Sequence, residues 1–216
     1  LETVEIKKMG LTDFSEVWQL QKVLLNDVVQ QHNKHYLILT EHQPVITLGK
    51  AGSLKNLLYD PEYVKSQGIQ FYQIDRGGDI TFHGPGQLVG YPILNLERFK
   101  KDIHWYLRAL EEVVIQTLAL LKISANRIKG LTGVWVNNRK ICAIGIKTSR
   151  WVTMHGFALN VDLPLDYFNY IIPCGLNDKG ITSVAEQMKN KIPMDTVNEI
   201  FLKIFAKVFG VKCKDG

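Results

Sequence analysis

Residues 76 to 87, Arg-Gly-Gly-Asp-Ile-Thr-Phe-His-Gly-Pro-Gly-Gln, constrain this chain most. They place four glycines, a proline, an arginine and a histidine between two apolar, strand-like runs, Phe71 to Ile74 and Leu88 to Leu96. Glycine admits positive φ and close approach of other groups, at an entropic cost on folding. Several such residues beside a cation and an imidazole predict a loop built around a ligand and held by a sheet. A long hairpin with Gly-Pro turn chemistry and nothing bound is the simpler alternative. The glycine spacing matches neither G-x-x-x-x-G-K-[ST] nor G-x-G-x-x-G, and a strand rather than a helix follows. A phosphate cradle is therefore disfavoured.

The 216 residues contain no repeat, low-complexity tract or Pro/Ser-rich linker, so one domain over 1–216 is expected, large enough to bury a core. No apolar run reaches the ~18 residues of a membrane-crossing helix, and no membrane partner is expected. The opening residues, Leu1 to Lys8, lack the charged-then-apolar pattern of a secretory signal. Cys142, Cys174 and Cys213 are odd in number and lack C-x-x-C spacing. That indicates neither a disulfide framework nor a zinc site and fits a reducing, cytoplasmic setting. The net charge of +5 favours acidic partners. Its lysines are dispersed, without the basic run interleaved with aromatics that would point to nucleic acid, so an acidic protein is the expected partner.

Asp13 can cap a helix with Glu16 reaching back, and Val17, Leu20, Leu24 and Val28 form its apolar stripe. Tyr36 to Thr40 and Val45 to Leu48 read as strands across a proline turn, and Asp60-Pro61 opens a short helix. Asp102 caps a long helix to about Lys122. Val134 to Val136 and Lys140 to Ile146 form a hairpin around Asn137-Asn138, since asparagine tolerates positive φ. Trp151 to Val161 is a further strand, and Asp195 caps a last helix that Gly210 ends. Strands dominate the middle, helices flank them and βαβ alternation is poor. The fold class expected is α+β, one domain with a mixed, largely antiparallel sheet.

Cys174 lies in Ile171-Ile172-Pro173-Cys174-Gly175-Leu176, where proline fixes an extended approach and the Gly175 amide can donate to an oxyanion. A nucleophile and an inert buried thiol are both compatible with that setting. Cys142 and Cys213 fit the inert reading. A nucleophilic thiol needs a cation or base to ionise it. His32, His35, His42 and His104 read as solvated residues at helix ends and turns. His83 and His155 each adjoin a glycine and are the candidate bases by residue type, while Lys140 reads as a strand lysine with a solvated charge.

Arg76 to Pro92 as a whole resembles the signature of the octanoyl-[acyl-carrier-protein]:protein octanoyltransferases (lipoyl/octanoyl transferases). Three more blocks match in order: Gly133 to Val136 with Arg139 to Gly145, His155 to Asn160, and Ile172 to Gly175. The resemblance spans roughly residues 30 to 190. It implies the fold shared with biotin and lipoate protein ligases, and an acyltransferase that needs no cofactor. Carried onto this chain, Cys174 is the acyl-thioester nucleophile and Lys140 the residue that lowers its pKa. Arg76, Gly77, Gly78 and Asp79, with Ile80, Thr81, Phe82 and His83, then line the acyl pocket. So do Ala143, Ile144 and Gly145 of one strand and Gly156, Phe157 and Ala158 of the next. The implied donor is an octanoyl (or lipoyl) acyl carrier protein. The implied acceptors are lysines of the lipoyl domains of 2-oxoacid dehydrogenase E2 subunits and of the glycine cleavage H protein.

An ATP-dependent lipoate or biotin ligase of the same fold is the nearest alternative, but it needs no nucleophilic cysteine. A non-catalytic carrier-protein binding module and a thiol hydrolase using His83 or His155 are the others.

Overall fold

A computed structural model of the chain describes residues 1–173 and 179–216. In chain order its elements are β1 (Glu2–Thr12), α1 (Phe14–Gln31), β2 (Tyr36–His42), β3 (Val45–Leu48), α2 (Pro61–Ser66), β4 (Gln70–Gln73), β5 (Ile80–His83), β6 (Gln87–Ile93) and α3 (Ile103–Leu120). There follow β7 (Asn126–Ile128), β8 (Leu131–Val136), β9 (Arg139–Ser149), β10 (Val152–Asn160), β11 (Gly180–Ile181), α4 (Val184–Met188), α5 (Met194–Phe209) and β12 (Val211–Asp215).

Among the described residues the strands form two sheets. The large one runs β12-β1-β2-β6-β10-β9-β8-β7, with β11 added beside β9; the small one runs β4-β3-β5. β1 pairs parallel with both β12 and β2, and β11 pairs parallel with β9. The pairs from β2 through β6, β10, β9 and β8 to β7 are antiparallel. This is the mixed, largely antiparallel α+β architecture the sequence predicts. No helix among the described residues is long and apolar enough to cross a membrane.

Alternation along the strands separates two cores. Leu37, Leu39, Leu88, Phe157 and Leu159 face α3 and α5, where they meet Tyr106, Leu110, Phe201 and Phe205. The alternate residues Ile38, Val89, Tyr91 and Ala158 face α1 and pack on Val17, Leu24 and Val28. The small sheet makes a third cluster in which Ile46, Ile80 and Phe82 pack with Val64 of α2 and with Leu163 and Ile171.

Asp13, Asp60 and Asp102 cap their helices as expected, each accepting a backbone N–H of the first turn. Asp195 does not. α5 opens at Met194 behind Pro193, and Asp195 lies inside the first turn, where its charge suits the helix dipole without capping. The sequence reading also placed no element before Asp13, yet β1 is an eleven-residue strand. Its polar outward residues hide the alternation, and only Val4 and Ile6 are buried. The glycine-rich segment is not wholly loop either, because Ile80–His83 pairs with β3.

One irregularity shapes the centre of the large sheet. The register that joins Phe157 to Gly90 and Val152 to Asn95 sets Pro92 opposite His155. Proline has no N–H for the ladder. Around this point His155 adopts φ 60, and its amide donates instead to Oε1 of Gln21 at 2.9 Å. Gly156 then passes so close to β6 that a Cβ would lie 2.1 Å from the Gly90 carbonyl oxygen. Gln21 is fully buried on α1, so it ties helix and sheet together at a single buried acceptor. Replacing it with methionine (Gln21→Met) keeps the volume but leaves the His155 amide unsatisfied. Urea denaturation should show a loss of about 1–3 kcal/mol; a loss below about 0.5 kcal/mol, the ordinary scatter of a neutral change, contradicts this role for Gln21.

Candidate active site

A cavity of about 350 Å³ lies between the two sheets. Its floor is the large sheet, where Ala143 and Gly145 of β9 stand beside Gly156 and Ala158 of β10. Four small residues on neighbouring strands leave open a track that side chains would otherwise fill. Val89 and Tyr91 of β6 continue the floor, and Phe14 and Ile74 supply apolar walls. Ile144 and Phe157 contribute to the wall although their side chains pack in the opposite core.

The roof is the glycine-rich segment: Arg76, Gly78, Asp79, Ile80, Thr81 and His83 all line the cavity. Gly77 and Phe82 are not among the lining residues. The Gly77 amide donates to the Ile146 carbonyl at 2.8 Å, fastening the roof to β9. Phe82 turns its ring away, stacked 4.5 Å from Tyr167. Arg76 is held from behind, since its Nη2 donates to the Thr47 carbonyl at 2.9 Å and to Thr47 Oγ1 at 3.0 Å. Asp79 accepts from Asn56 Nδ2 at 2.5 Å and from the Ser53 amide at 3.2 Å, and so fixes the neighbouring loop that brings Ala51 to the cavity rim.

The histidines differ from expectation. His32 and His104 are exposed, but His35 and His42 are buried. His42 Nε2 lies 2.8 Å from the Tyr91 hydroxyl, and its ring packs edge-on against His83. Their sequence neighbours are turn and helix-end residues, and only the tertiary packing buries them. His83 pairs through Nδ1 with Gln87 Oε1 at 2.8 Å, and His155 pairs through Nε2 with Asp75 at 3.1 Å. Burial pushes His83 down to about 3, helped by the neighbouring His42. Burial likewise lowers His42 and His155 to about 4, for His155 against the pull of Asp75. Burial opposes ionisation of Asp75, yet hydrogen bonds from Lys147 and His155 bring its carboxyl down to about 2. These imidazoles are neutral at pH 7, so none supplies the positive charge a thiolate needs.

Lys140 sits at the other end of the track, near the start of β9, with only 6% of its surface exposed. Its Nζ lies 4.8 Å from the Trp135 ring centroid, a cation–π contact. It lines the main cavity and also a small adjoining one walled by Thr81, Gln87, Asn160 and Pro173. The expected solvated strand lysine is therefore a buried one. Cys174 and Gly175 lie outside the described residues, which resume at Lys179. Phe14, Val89, Tyr91 and Ile74 were not singled out as site residues in the sequence, because each carries only the apolar signal of a core position.

The family of the lipoyl protein ligase A/B catalytic domain matches residues 13–206. The octanoyltransferase of Solibacter usitatus is 47% identical over 211 residues, covering 98% of this chain and 95% of its own. That of Flavobacterium psychrophilum is 45% identical over 225 residues, covering 96% and 97% respectively. Among solved structures, a bipartite lipoate protein ligase from Thermoplasma acidophilum aligns at a TM-score of 0.78 with 16% identity, covering 100% of this chain and 87% of that one. At that identity the likeness speaks for the fold alone. The two sheets enclosing a cavity are the architecture of a lipoate-ligase catalytic domain. The chain belongs to the lipoyl protein ligase A/B catalytic-domain family, on the octanoyltransferase branch that the sequence motifs indicate.

Buried His42, His83 and His155 make stability pH-dependent. Their folded pKa values lie below the unfolded value of about 6.5, so their contribution is complete above that pH and is lost as pH falls towards 4. Each such imidazole should steepen the loss by up to roughly 1.4 kcal/mol per pH unit in that window. Thermal unfolding from about pH 7.5 to 5 should show the midpoint held down to about pH 6.5 and falling below it, whereas a midpoint unchanged down to about pH 5 contradicts burial in the neutral form.

Proposed function

We propose that this chain transfers an octanoyl group from an acyl carrier protein to a lysine of a lipoyl domain through a thioester on Cys174. The reading rests on one observation above others. Lys140 is buried where the main cavity meets the smaller one that Pro173, the residue before Cys174, helps to line. An ammonium there stabilises a thiolate at neutral pH, which the neutral histidines do not.

In the first half, the Cys174 thiolate attacks the thioester carbonyl carbon. The bond to the carrier's sulfur breaks, and that sulfur leaves with the proton Lys140 gives up. In the second half, the acceptor's neutral amine attacks the acyl-enzyme, Cys174 leaves as a thiolate and Lys140 takes the amine's proton. The enzyme returns to its starting state. Thioester exchange is nearly balanced in free energy and amide formation is downhill, so neither half needs ATP. Dividing the transfer in this way is covalent catalysis with ping-pong kinetics.

Octanoyl methylenes laid along Ala143, Gly145, Gly156 and Ala158 gain about 0.8 kcal/mol each on burial. Tyr91, Phe14 and Ile74 supply further apolar wall for the chain. One methylene more or less changes binding by only about 1–3 kcal/mol, so selection by chain length is real but leaky. The excess positive charge suits acidic carrier and lipoyl domains and makes association salt-sensitive. The acceptors are lipoyl domains of E2 subunits and the glycine cleavage H protein, and the setting is cytoplasmic. Both sheets wall one cavity, which supports reading residues 1–216 as one catalytic domain.

Intact-mass spectrometry after incubation with octanoyl carrier protein should show one octanoyl adduct, absent in Cys174→Ser and removed by hydroxylamine. An adduct that persists in Cys174→Ser, or octanoyl-adenylate formed from free octanoate and ATP, contradicts the assignment.

A further inference from the structure

Lys140 and Cys142 are two residues apart on β9, yet they face opposite sides of the sheet. Residues two apart on a regular strand share a face. The register explains the exception: Val134 pairs with Cys142, but the next residue, Trp135, pairs with Lys140. Ile141 is thus an extra residue on β9, a β-bulge. Cross-strand partners share a face. Cys142 accordingly lies with Val134 in the core against α3 and α5, and Ile141 joins them. Lys140 lies with Trp135 and reaches the cavity. A one-residue slip that removed the bulge would turn the Lys140 side chain to the other face.

The bulge is held at Gly133, the residue before Val134. Gly133 has φ 118, and a Cβ there would lie 2.6 Å from the Cys142 carbonyl oxygen and 3.6 Å from Lys140 Cε. Its amide donates to Oε1 of Glu111 at 3.1 Å. Glu111 belongs to α3, on the far face of the sheet from the cavity, and is fully buried. Its other oxygen, Oε2, accepts from Arg108 Nη1 at 2.6 Å and Arg127 Nε at 2.9 Å. The carboxylate therefore divides its labour, one oxygen for two guanidinium groups and one for the glycine amide. On the other edge of β9 the Thr182 amide donates to the Lys140 carbonyl at 3.0 Å, so Lys140 is fixed from both sides.

We propose that Glu111 is a positioning residue for Lys140: by pinning the Gly133 amide it fixes the bulge that turns Lys140 into the cavity. The inference rests on Lys140 being the group that ionises Cys174. A buried acid serving only to neutralise Arg108 and Arg127 makes the opposite demands on substitution, and that separates the two roles. Glu111→Asp keeps the charge but withdraws it one methylene from Gly133. Glu111→Gln loses the charge but keeps an acceptor at full reach.

The test is the pH dependence of iodoacetamide alkylation of Cys174, read by peptide mass spectrometry, with thermal midpoints measured alongside. Glu112→Ala serves as the control on the same helix. In Glu111→Asp and Glu111→Ala the alkylation midpoint should move upward, in the direction set by Lys140→Ala. Octanoylation should fall about tenfold or more, as small misplacements of a catalytic group do. Glu111→Gln should stay within about twofold of the parent in rate and midpoint, although its thermal midpoint drops with the lost charge. The reverse order, with Asp near the parent and Gln impaired, overturns the inference. So do thermal midpoints that fall while every Glu111 profile coincides with the parent's and Lys140→Ala alone is shifted. If Lys140→Ala itself leaves the profile unmoved, the reading of Lys140 falls first and this inference with it.

Discussion

The structure depends on how closely the backbone of the large sheet is approached by the segment above it. Ala143, Gly145, Gly156 and Ala158 keep the sheet bare over a track, and Gly145 tolerates no side chain, since a Cβ there would lie 2.8 Å from the Gly77 carbonyl oxygen. The bond from Gly77 to Ile146 then fastens the roof at that point. A larger residue on the track would fill the cavity and lift the roof together. Shape for an acyl chain and stability of the roof thus come from the same few positions.

Polar groups around that track are arranged as anchors. Arg76 is tied to Thr47, Asp75 to Lys147 and His155, and His83 to Gln87. Burial keeps His83 and His155 of the cavity lining neutral, so the ionic side chains that line it are Arg76 and Asp79 in the roof and Lys140. Lys140 is placed at the end nearer Pro173. An apolar floor with Lys140 at one end suits a substrate with a fatty tail and a reactive head.

Much of this was legible in the sequence. Caps at Asp13, Asp60 and Asp102, the Asn137-Asn138 turn and the Gly210 stop are local signals, and the structure follows them. The ordered motifs indicated the family, and most of the residues they named line one cavity. What was not legible depends on long-range pairing. β1 acquires its register from β2 and β12, at opposite ends of the chain. His35 and His42 look like solvated turn residues until Phe99 packs on the first and Phe14 of α1 and Tyr91 of β6 on the second. Phe82 sits in the motif between two lining residues, Thr81 and His83, yet faces the core of the small sheet. Lys140 reads as an ordinary strand lysine because a bulge leaves no mark in composition or periodicity.

The central claim is that a fatty group rests on Cys174 between two proteins while Lys140 manages the proton. The most direct measurement isolates the octanoyl-enzyme free of donor and mixes it with a lipoyl domain in the absence of ATP. The account predicts transfer to the domain's lysine at least as fast as steady-state turnover. An isolated adduct that stays inert while the complete mixture turns over would show that the thioester lies off the reaction path.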